Sequence, residues 1–253
     1  MNVWGIADPH LSLSTDKPMD IFGDHWEDHH ERIAETWQSC VSPEDVVLLP
    51  GDISWAMTLP QAAEDLRFLN DLPGQKIIGR GNHDYWWSTL RKIEQFCADQ
   101  SFSTLRFMRH NAFRIGEPNG QQIVVCGTRG WINPTDSTWQ KNSDEKIYLR
   151  EIARLKLALE EALKIHEDEM PLLVALHYPP FNRGNPSGSN GFMDTMQAFS
   201  VDMCIFGHVH GSSARFIPEG RINDIEFINV ASDYINFKPR LLWSSTAGFV
   251  QHK

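Results

Sequence analysis

The chain is predicted to be an α/β protein in which a mixed β core of two facing sheets is covered outside by helices. Three observations predict it. Up to about residue 99, short apolar runs alternate with segments of helical period, the pattern of parallel strands joined by right-handed crossovers. From residue 105 the runs shorten and are separated by turn residues, as in an antiparallel addition. Five of the apolar runs also end in side chains that can bind a metal, and layered α/β folds build their sites just beyond the carboxyl ends of such strands.

In chain order, Val3 to Ala7 reads as a first strand, followed by an irregular loop from Leu11 to Gly23. Asp24 is the expected cap of a helix to about Cys40, with Trp26, Ile33, Trp37 and Cys40 on one face and His29 and His30 on a solvated one. Val46 to Leu49 is a strand, Leu59 to Leu72 a crossover helix stopped by Pro73-Gly74, 76–78 a strand, and Ser88 to Asp99 a helix. Leu105 to Phe107, Ala112 to Ile115 and Gln122 to Gly127 read as the antiparallel addition, the last two joined across Asn119-Gly120. Asn142 and Glu145 form the expected capping box of the longest helix, to about Glu167, with Tyr148, Ile152, Leu155, Leu159, Ala162 and Leu163 facing inward. Leu172 to Leu176 and Met203 to Phe206 are strands, separated by a Gly/Pro-rich loop from Tyr178 to Gly191. The tail (Ala214 to Ile217, Ile225 to Val230, Leu241 to Trp243) is expected to add two or three antiparallel strands.

The site follows from the strand ends. They deliver Asp8 and His10, then Asp52 after Gly51, then Asn82, His83 and Asp84 after Gly79-Arg80-Gly81, then His177, and last His208 and His210 after Gly207. Glycines at 79 and 81 permit a sharp turn and close backbone approach, while the side chains after them offer an amide oxygen, an imidazole and a carboxylate. Since the donors run from position 8 to position 210, residues 1–253 are expected to fold as one domain.

Taken together, Asp8-x-His10, Gly51-Asp52, Gly81-Asn82-His83-Asp84, His177 and Gly207-His208-x-His210, in that order, resemble the calcineurin-like metallophosphoesterases. The resemblance implies a four-layer α/β/β/α sandwich and hydrolysis of phosphoesters by in-line attack of a hydroxide bridging two divalent metal ions. It assigns Asp8, His10 and His210 to one metal, Asn82, His177 and His208 to the other, and Asp52 to the bridge. It makes His83 a proton donor to the leaving oxygen or a clamp on the phosphate, without ligating metal. Imidazoles mixed with oxygen donors suit manganese, iron or zinc better than calcium or an all-oxygen magnesium site. Phosphoprotein phosphatases of this superfamily carry Gly-Asp-x-x-Asp-Arg, whereas this chain has Gly51-Asp52-Ile53-Ser54-Trp55-Ala56, which argues against that activity.

A small soluble phosphodiester, nucleotide or phosphomonoester is therefore the expected substrate, with Arg183 and Arg129 as phosphate clamps and Trp55 as a further contact. Trp55, Tyr85, Trp86, Trp87, Tyr178 and Phe181 all lie beside the motifs, and packing of the loops is favoured over a stacking platform for them. The formal net charge of −10 disfavours a nucleic acid polymer as partner, and with it a nuclease. A metal-binding scaffold that has lost catalysis is the other alternative, against which stands a complete donor set. The N-terminus shows no signal peptide and no apolar run approaches the roughly 20 residues of a membrane span, so a cytoplasmic protein without membrane contact is expected. Cys40, Cys97, Cys126 and Cys204 are widely spaced and are expected to be free thiols.

Overall fold

The computed structural model describes residues 1–118, 120–182 and 184–250. In chain order it gives β1 (Asn2–Gly5), α1 (His29–Cys40), β2 (Val46–Leu49), α2 (Ala63–Asp71), β3 (Gln75–Ile78), α3 (Leu90–Asp99), β4 (Leu105–Phe107), β5 (Ala112–Gly116), β6 (Gln122–Thr128) and α4 (Lys141–Leu163). There follow β7 (Leu172–Leu176), α5 (Gly191–Ala198), β8 (Met203–Phe206), β9 (Gly220–Ile222), β10 (Ile225–Asn229), β11 (Arg240–Ser244) and β12 (Gly248–Phe249).

Among the described residues the strands form two six-stranded mixed sheets, ordered β12-β11-β1-β2-β3-β4 and β5-β6-β7-β8-β10-β9. Each has four parallel strands at its heart, β1 to β4 in one and β6, β7, β8 and β10 in the other. These strands are apolar throughout because both of their faces are covered. In β2, Val46 and Leu48 pack between the sheets with Leu173, Ala175, Ile205 and Trp243, while Val47 and Leu49 face Ile33, Trp37, Leu66 and Ile93 of the helices. In β7, Leu172, Val174 and Leu176 face Leu155, Leu159, Phe192 and Met196 on the other outer side. Three apolar layers between four layers of structure make this an α/β/β/α sandwich. At the rim the sheets are tied directly, since Ala7 donates its N–H to the Val230 carbonyl (2.7 Å) and accepts from Ser232 N–H (2.9 Å).

Several elements differ from expectation. The antiparallel addition is confined to β5 and β6, paired from Ala112↔Cys126 to Gly116↔Gln122, whereas β4 continues the first sheet in parallel with β3. Asn119 of the expected turn lies outside the described residues. In the tail, β10 is parallel to β8 and only β9, β11 and β12 are antiparallel additions. Residues 214–217 are not a strand; Gly211–Phe216 form a 3-10 turn whose first N–H is held by the Asp233 carboxylate (2.7 Å). No helix starts at Asp24, because Gly23 (φ 132°) and Asp28 (φ 49°) interrupt helical backbone on either side of a 3-10 turn, and α1 begins only at His29. Trp26 therefore precedes the helix, yet it is buried.

The capping box at Asn142 and Glu145 is also absent. α4 opens two residues earlier, with Gln140 and not Asn142 at the cap, and Asp144, one turn in, accepts the Gln140 N–H at 2.7 Å and the Trp131 indole N–H at 3.2 Å. Its last residue, Leu163, is exposed and not on the packed face. α2 starts at Ala63, later than Leu59. α5 falls where no helix is expected; Asn190 caps it by accepting the N–H groups of Phe192 and Met193 (both 3.1 Å). The cysteines are free, and no helix among the described residues is long and apolar enough to cross a membrane.

Candidate metal centre

All seven expected metal ligands stand just past the carboxyl ends of parallel strands. Asp8 and His10 follow β1, Asp52 follows β2, Asn82 follows β3, His177 follows β7, and His208 and His210 follow β8. The two sheets converge there and bring the donors into two groups, Asp8-His10-His210 and Asp52-His177-His208, with the ligand atoms of each within 4.8 Å of one another. Asn82 joins the second group, its Oδ1 lying 2.7 Å from His177 Nε2. Asp52 faces both groups, with Oδ2 at 3.4 Å from His177 Nε2 and 3.8 Å from His10 Nε2.

The backbone is bent to achieve this. Asp8 (φ 56°), His10 (φ 44°), Asp52 (φ 52°) and His208 (φ 74°) all adopt left-handed conformations, which cost a non-glycine residue on the order of 1 kcal/mol each and gather at functional sites. Two glycines are required by close approach: a Cβ on Gly81 would strike the Asp52 carboxylate, and one on Gly207 the Asp8 carboxylate. Each carboxylate is anchored through one oxygen and presents the other. Asp8 Oδ2 accepts the His208 N–H (2.9 Å) and Asp52 Oδ1 the His83 N–H (2.7 Å). Asp84, the remaining acid of the Asn-His-Asp motif, is fully buried and laces the loops together. It accepts N–H groups from Gly81 (2.7 Å), Asp52 (2.9 Å), Ile53 (2.9 Å) and Ser54 (3.3 Å), and from the Trp86 indole (2.9 Å).

This donor set fits divalent metal ions. Asp8 Oδ1 is buried without a hydrogen-bond donor, which is costly for a carboxylate unless a cation compensates it. Burial pushes the Asp8 carboxyl up to about 7, against the pull of the His210 charge and the His208 N–H. Burial and the charges of Asp8 and Asp84 also raise Asp52 well above the carboxylate range. Burial holds His10 and His177 well below the imidazole range and His208 at about 3, so all three are neutral and ready to ligate at pH 7.

His210 moves the other way. Burial would lower it, but Asp233 Oδ1 on its Nδ1 (2.8 Å), with the charge of Asp8, raises it. Asp233 fixes the ring so that Nε2 faces the site, the role that carboxylates behind ligating histidines commonly have. Asp233 is not among the residues expected from sequence, although Ile225 to Val230 is one more apolar run leading toward a carboxylate. His29, expected on a solvated face, is buried instead, with Nδ1 3.1 Å from the Trp26 carbonyl oxygen, because the 3-10 turn before α1 folds Trp26 back over it.

A pH dependence follows. The raised Asp8 carboxyl stabilises the metal-free fold below its unfolded range, near 4, a contribution lost as pH rises through about 7, and Asp52, also raised, acts in the same direction. Metal must displace those protons. Manganese binding at pH 6 is therefore expected to release on the order of one proton or more per chain, measurable calorimetrically in buffers of differing ionisation enthalpy. The thermal stabilisation by metal should grow from pH 5 to pH 8, and a pH-independent gain would contradict this account.

His83 lies between the metal groups and solvent. Its ring packs 4.5 Å from Trp55 and 5.8 Å from His10, and its Nδ1 is buried without a partner, so packing and not an acid holds it. Burial, then the charges of Lys17 and His210, lower its pKa. Trp55 is itself buried, stacked on His10 at 4.9 Å with the Lys17 ammonium 4.1 Å from its ring centre. Trp86 and Tyr178 are likewise buried, while Tyr85 is exposed. Arg129 sits 4.4 Å over the Trp131 ring and 3.7 Å from Glu151. Arg183 lies outside the described residues. Two cavities reach the centre: one of about 300 Å³ is bounded by His10, His83, His210, Trp26 and Phe22, and one of about 600 Å³ by His208, Tyr178, Phe181, Asn133 and Phe216.

Comparison with known proteins agrees with this geometry. A stretch of 83 residues is 34% identical to the Gene 66 protein of Mycobacterium phage L5, covering 33% of this chain and 40% of that protein. The Gene 66 protein of Mycobacterium phage D29 is 38% identical over 84 residues, with the same coverage. These matches span less than half the length of the phage proteins. Among solved structures, the phosphopantetheinyl hydrolase of Mycobacterium tuberculosis superposes with a TM-score of 0.59 at 15% identity over 95% of each chain. The protein TT1561 of Thermus thermophilus gives 0.50 at 12% identity over 82% of this chain and 81% of that one. At such identities the likeness is one of fold. The family model of the calcineurin-like phosphoesterases matches residues 1–212, from the first strand through both His/Asp groups, and the chain belongs to that family.

Proposed function

We propose that the protein hydrolyses a small soluble phosphoester, a diester or nucleotide-type compound, with two divalent cations held by Asp8, His10 and His210 and by Asn82, His177 and His208. Asp52 lies between them as the shared ligand. The observation that carries this reading is the position of Asp52 Oδ2, which faces both groups while its other oxygen is tied to the His83 N–H. Cations bound there supply positive charge toward the phosphoryl oxygens and make water acidic enough to react at neutral pH. The chain's own residues hold that arrangement: Asp8 and Asp52 through anchored carboxylates, Asp84 through the loops, Asp233 through His210.

His83 opens onto the smaller cavity, where an ester oxygen of a bound substrate would meet it. With a lowered pKa it is mainly neutral at pH 7, so it can donate an N–H to a phosphoryl oxygen, or a proton to the leaving oxygen from its minor charged form. Cavities of this size and aromatic lining accept the organic parts of a small ester. Trp55 and Ala56, where phosphoprotein phosphatases have Asp and Arg, argue against phosphoprotein substrates.

Metal analysis of the purified protein joined to a substrate panel tests the proposal. Two metal ions per chain are expected, with small diesters or nucleotides hydrolysed faster than phosphopeptides, DNA or RNA. A single metal per chain would refute the shared-ligand reading, and preference for phosphoproteins or polynucleotides would refute the substrate class.

A further inference from the structure

A cavity of about 350 Å³ on the same rim is walled by arginines and shares no lining residue with the metal centre. Arg80 comes from the loop after β3, Arg109 follows β4, Arg129 follows β6, and Arg150 and Arg154 project from α4. Among these five stands one carboxylate, the fully buried Glu151. Its Oε1 is 2.7 Å from Arg154, 3.6 Å from Arg150 and 3.7 Å from Arg129, and its Oε2 accepts the Thr128 hydroxyl at 2.7 Å. Glu151 is thus fully engaged, and the wall keeps a large positive excess in a chain whose formal net charge is −10.

The excess is concentrated on two residues. Among the described residues, no carboxylate lies within 4.0 Å of the Arg80 or Arg109 guanidinium, and Arg80 Nε is buried without any hydrogen-bond partner. Like charges gathered in a partly enclosed space repel strongly, and an unsatisfied guanidinium N–H adds a desolvation cost. A multivalent oxyanion removes both penalties, because guanidinium forks match phosphate oxygens two at a time.

We propose that this cavity is an anion site for a phosphate or diphosphate group, separate from the phosphoryl position at the metals. Such a group belongs either to the substrate, as a second phosphate beyond the scissile ester, or to a free phosphate anion. The cavity is built into the same loops as the centre. Arg80 stands two residues before Asn82, and the Arg129 carbonyl accepts the N–H groups of His177 and Tyr178, both at 3.0 Å.

The test is calorimetric titration of inorganic phosphate into the purified, metal-loaded protein, compared with Arg109→Ala and Arg150→Ala. Neither residue belongs to the metal centre, and Arg154 remains to pair Glu151. Binding at two sites is expected in the parent, with one of them weakened at least tenfold in each variant and the melting temperature little changed. Identical stoichiometry and affinity in parent and variants would overturn the proposal. This binding measurement is independent of the catalytic reading, so an inactive protein that still loses a phosphate site in the variants supports the anion site while the phosphoesterase proposal fails. Kinetics, which do rest on that reading, separate the sources. A tenfold or larger rise in KM for a nucleoside diphosphate diester, with bis(nitrophenyl) phosphate unaffected, assigns the site to the substrate's second phosphate. Unchanged KM for both esters, with phosphate binding lost, assigns it to the free anion.

Discussion

Asp52→Ala is expected to yield a folded protein without its metal pair and with phosphoester hydrolysis reduced by about 10³-fold or more. Asp52 Oδ2 faces both donor groups, at 3.4 Å from His177 Nε2 and 3.8 Å from His10 Nε2, with its other oxygen held by the His83 N–H. Asp52→Asn separates charge from shape. Its amide oxygen can still accept the His83 N–H, which Asp52 now takes at 2.7 Å, so the loop is preserved while the negative charge is lost. If activity needs the charge and not merely the loop, Asn should be nearly as inactive as Ala. Melting curves give an independent reading, since a ligand at a hundredfold excess over its Kd stabilises the folded state by about 2.7 kcal/mol. For a chain of this size that is roughly 5–10 °C. The parent protein should show this gain with manganese and the Asp52→Ala variant should not. A variant that keeps two metals and full activity would remove Asp52 from the centre.

His83→Ala is expected to keep its metals but to lose about 10² to 10⁴ in rate on esters with poor leaving groups. The ring lies beside the donor groups, 5.8 Å from His10 between centroids, yet it belongs to neither His/Asp group. A proton donor matters most when the departing alkoxide is a strong base, so the loss should shrink with nitrophenol as leaving group. Equal losses on both classes would assign His83 to holding the phosphate. The lowered pKa gives a second signature: the rate limb due to protonated His83 should fall below the ordinary imidazole range. Loss of metal in the variant would reject both roles and make His83 a ligand.

Much of the candidate centre is legible in sequence because the positions of its potential donors are encoded locally. A buried parallel strand reads as an apolar run, the turn after it needs glycine or a strained residue, and the donor follows at once, as in Val46 to Asp52 and Met203 to His210. Helix faces such as Ile33-Trp37 are equally local. What failed was set by neighbours far along the chain. Asp24 looked like a helix cap, but the left-handed Asp28 breaks the helix there. Ala214 to Phe216 resembles a strand, yet the chain must turn after His210, where Asp233 takes the Gly211 N–H.

Residue order alone thus determined the α/β class, the strands that carry the site and the chemistry of its donors, since each depends on side-chain period and on the few residues following an apolar run. Tertiary structure decided the pairings. Strand periodicity is the same for parallel and antiparallel partners, so only the assembled sheets show β4 beside β3 and β10 beside β8. The same docking brings Asp233 to His210 across 23 positions and gathers arginines from four separate segments around Glu151. Contacts between residues distant in sequence are fixed by how layers pack, and no short stretch of chain carries that information.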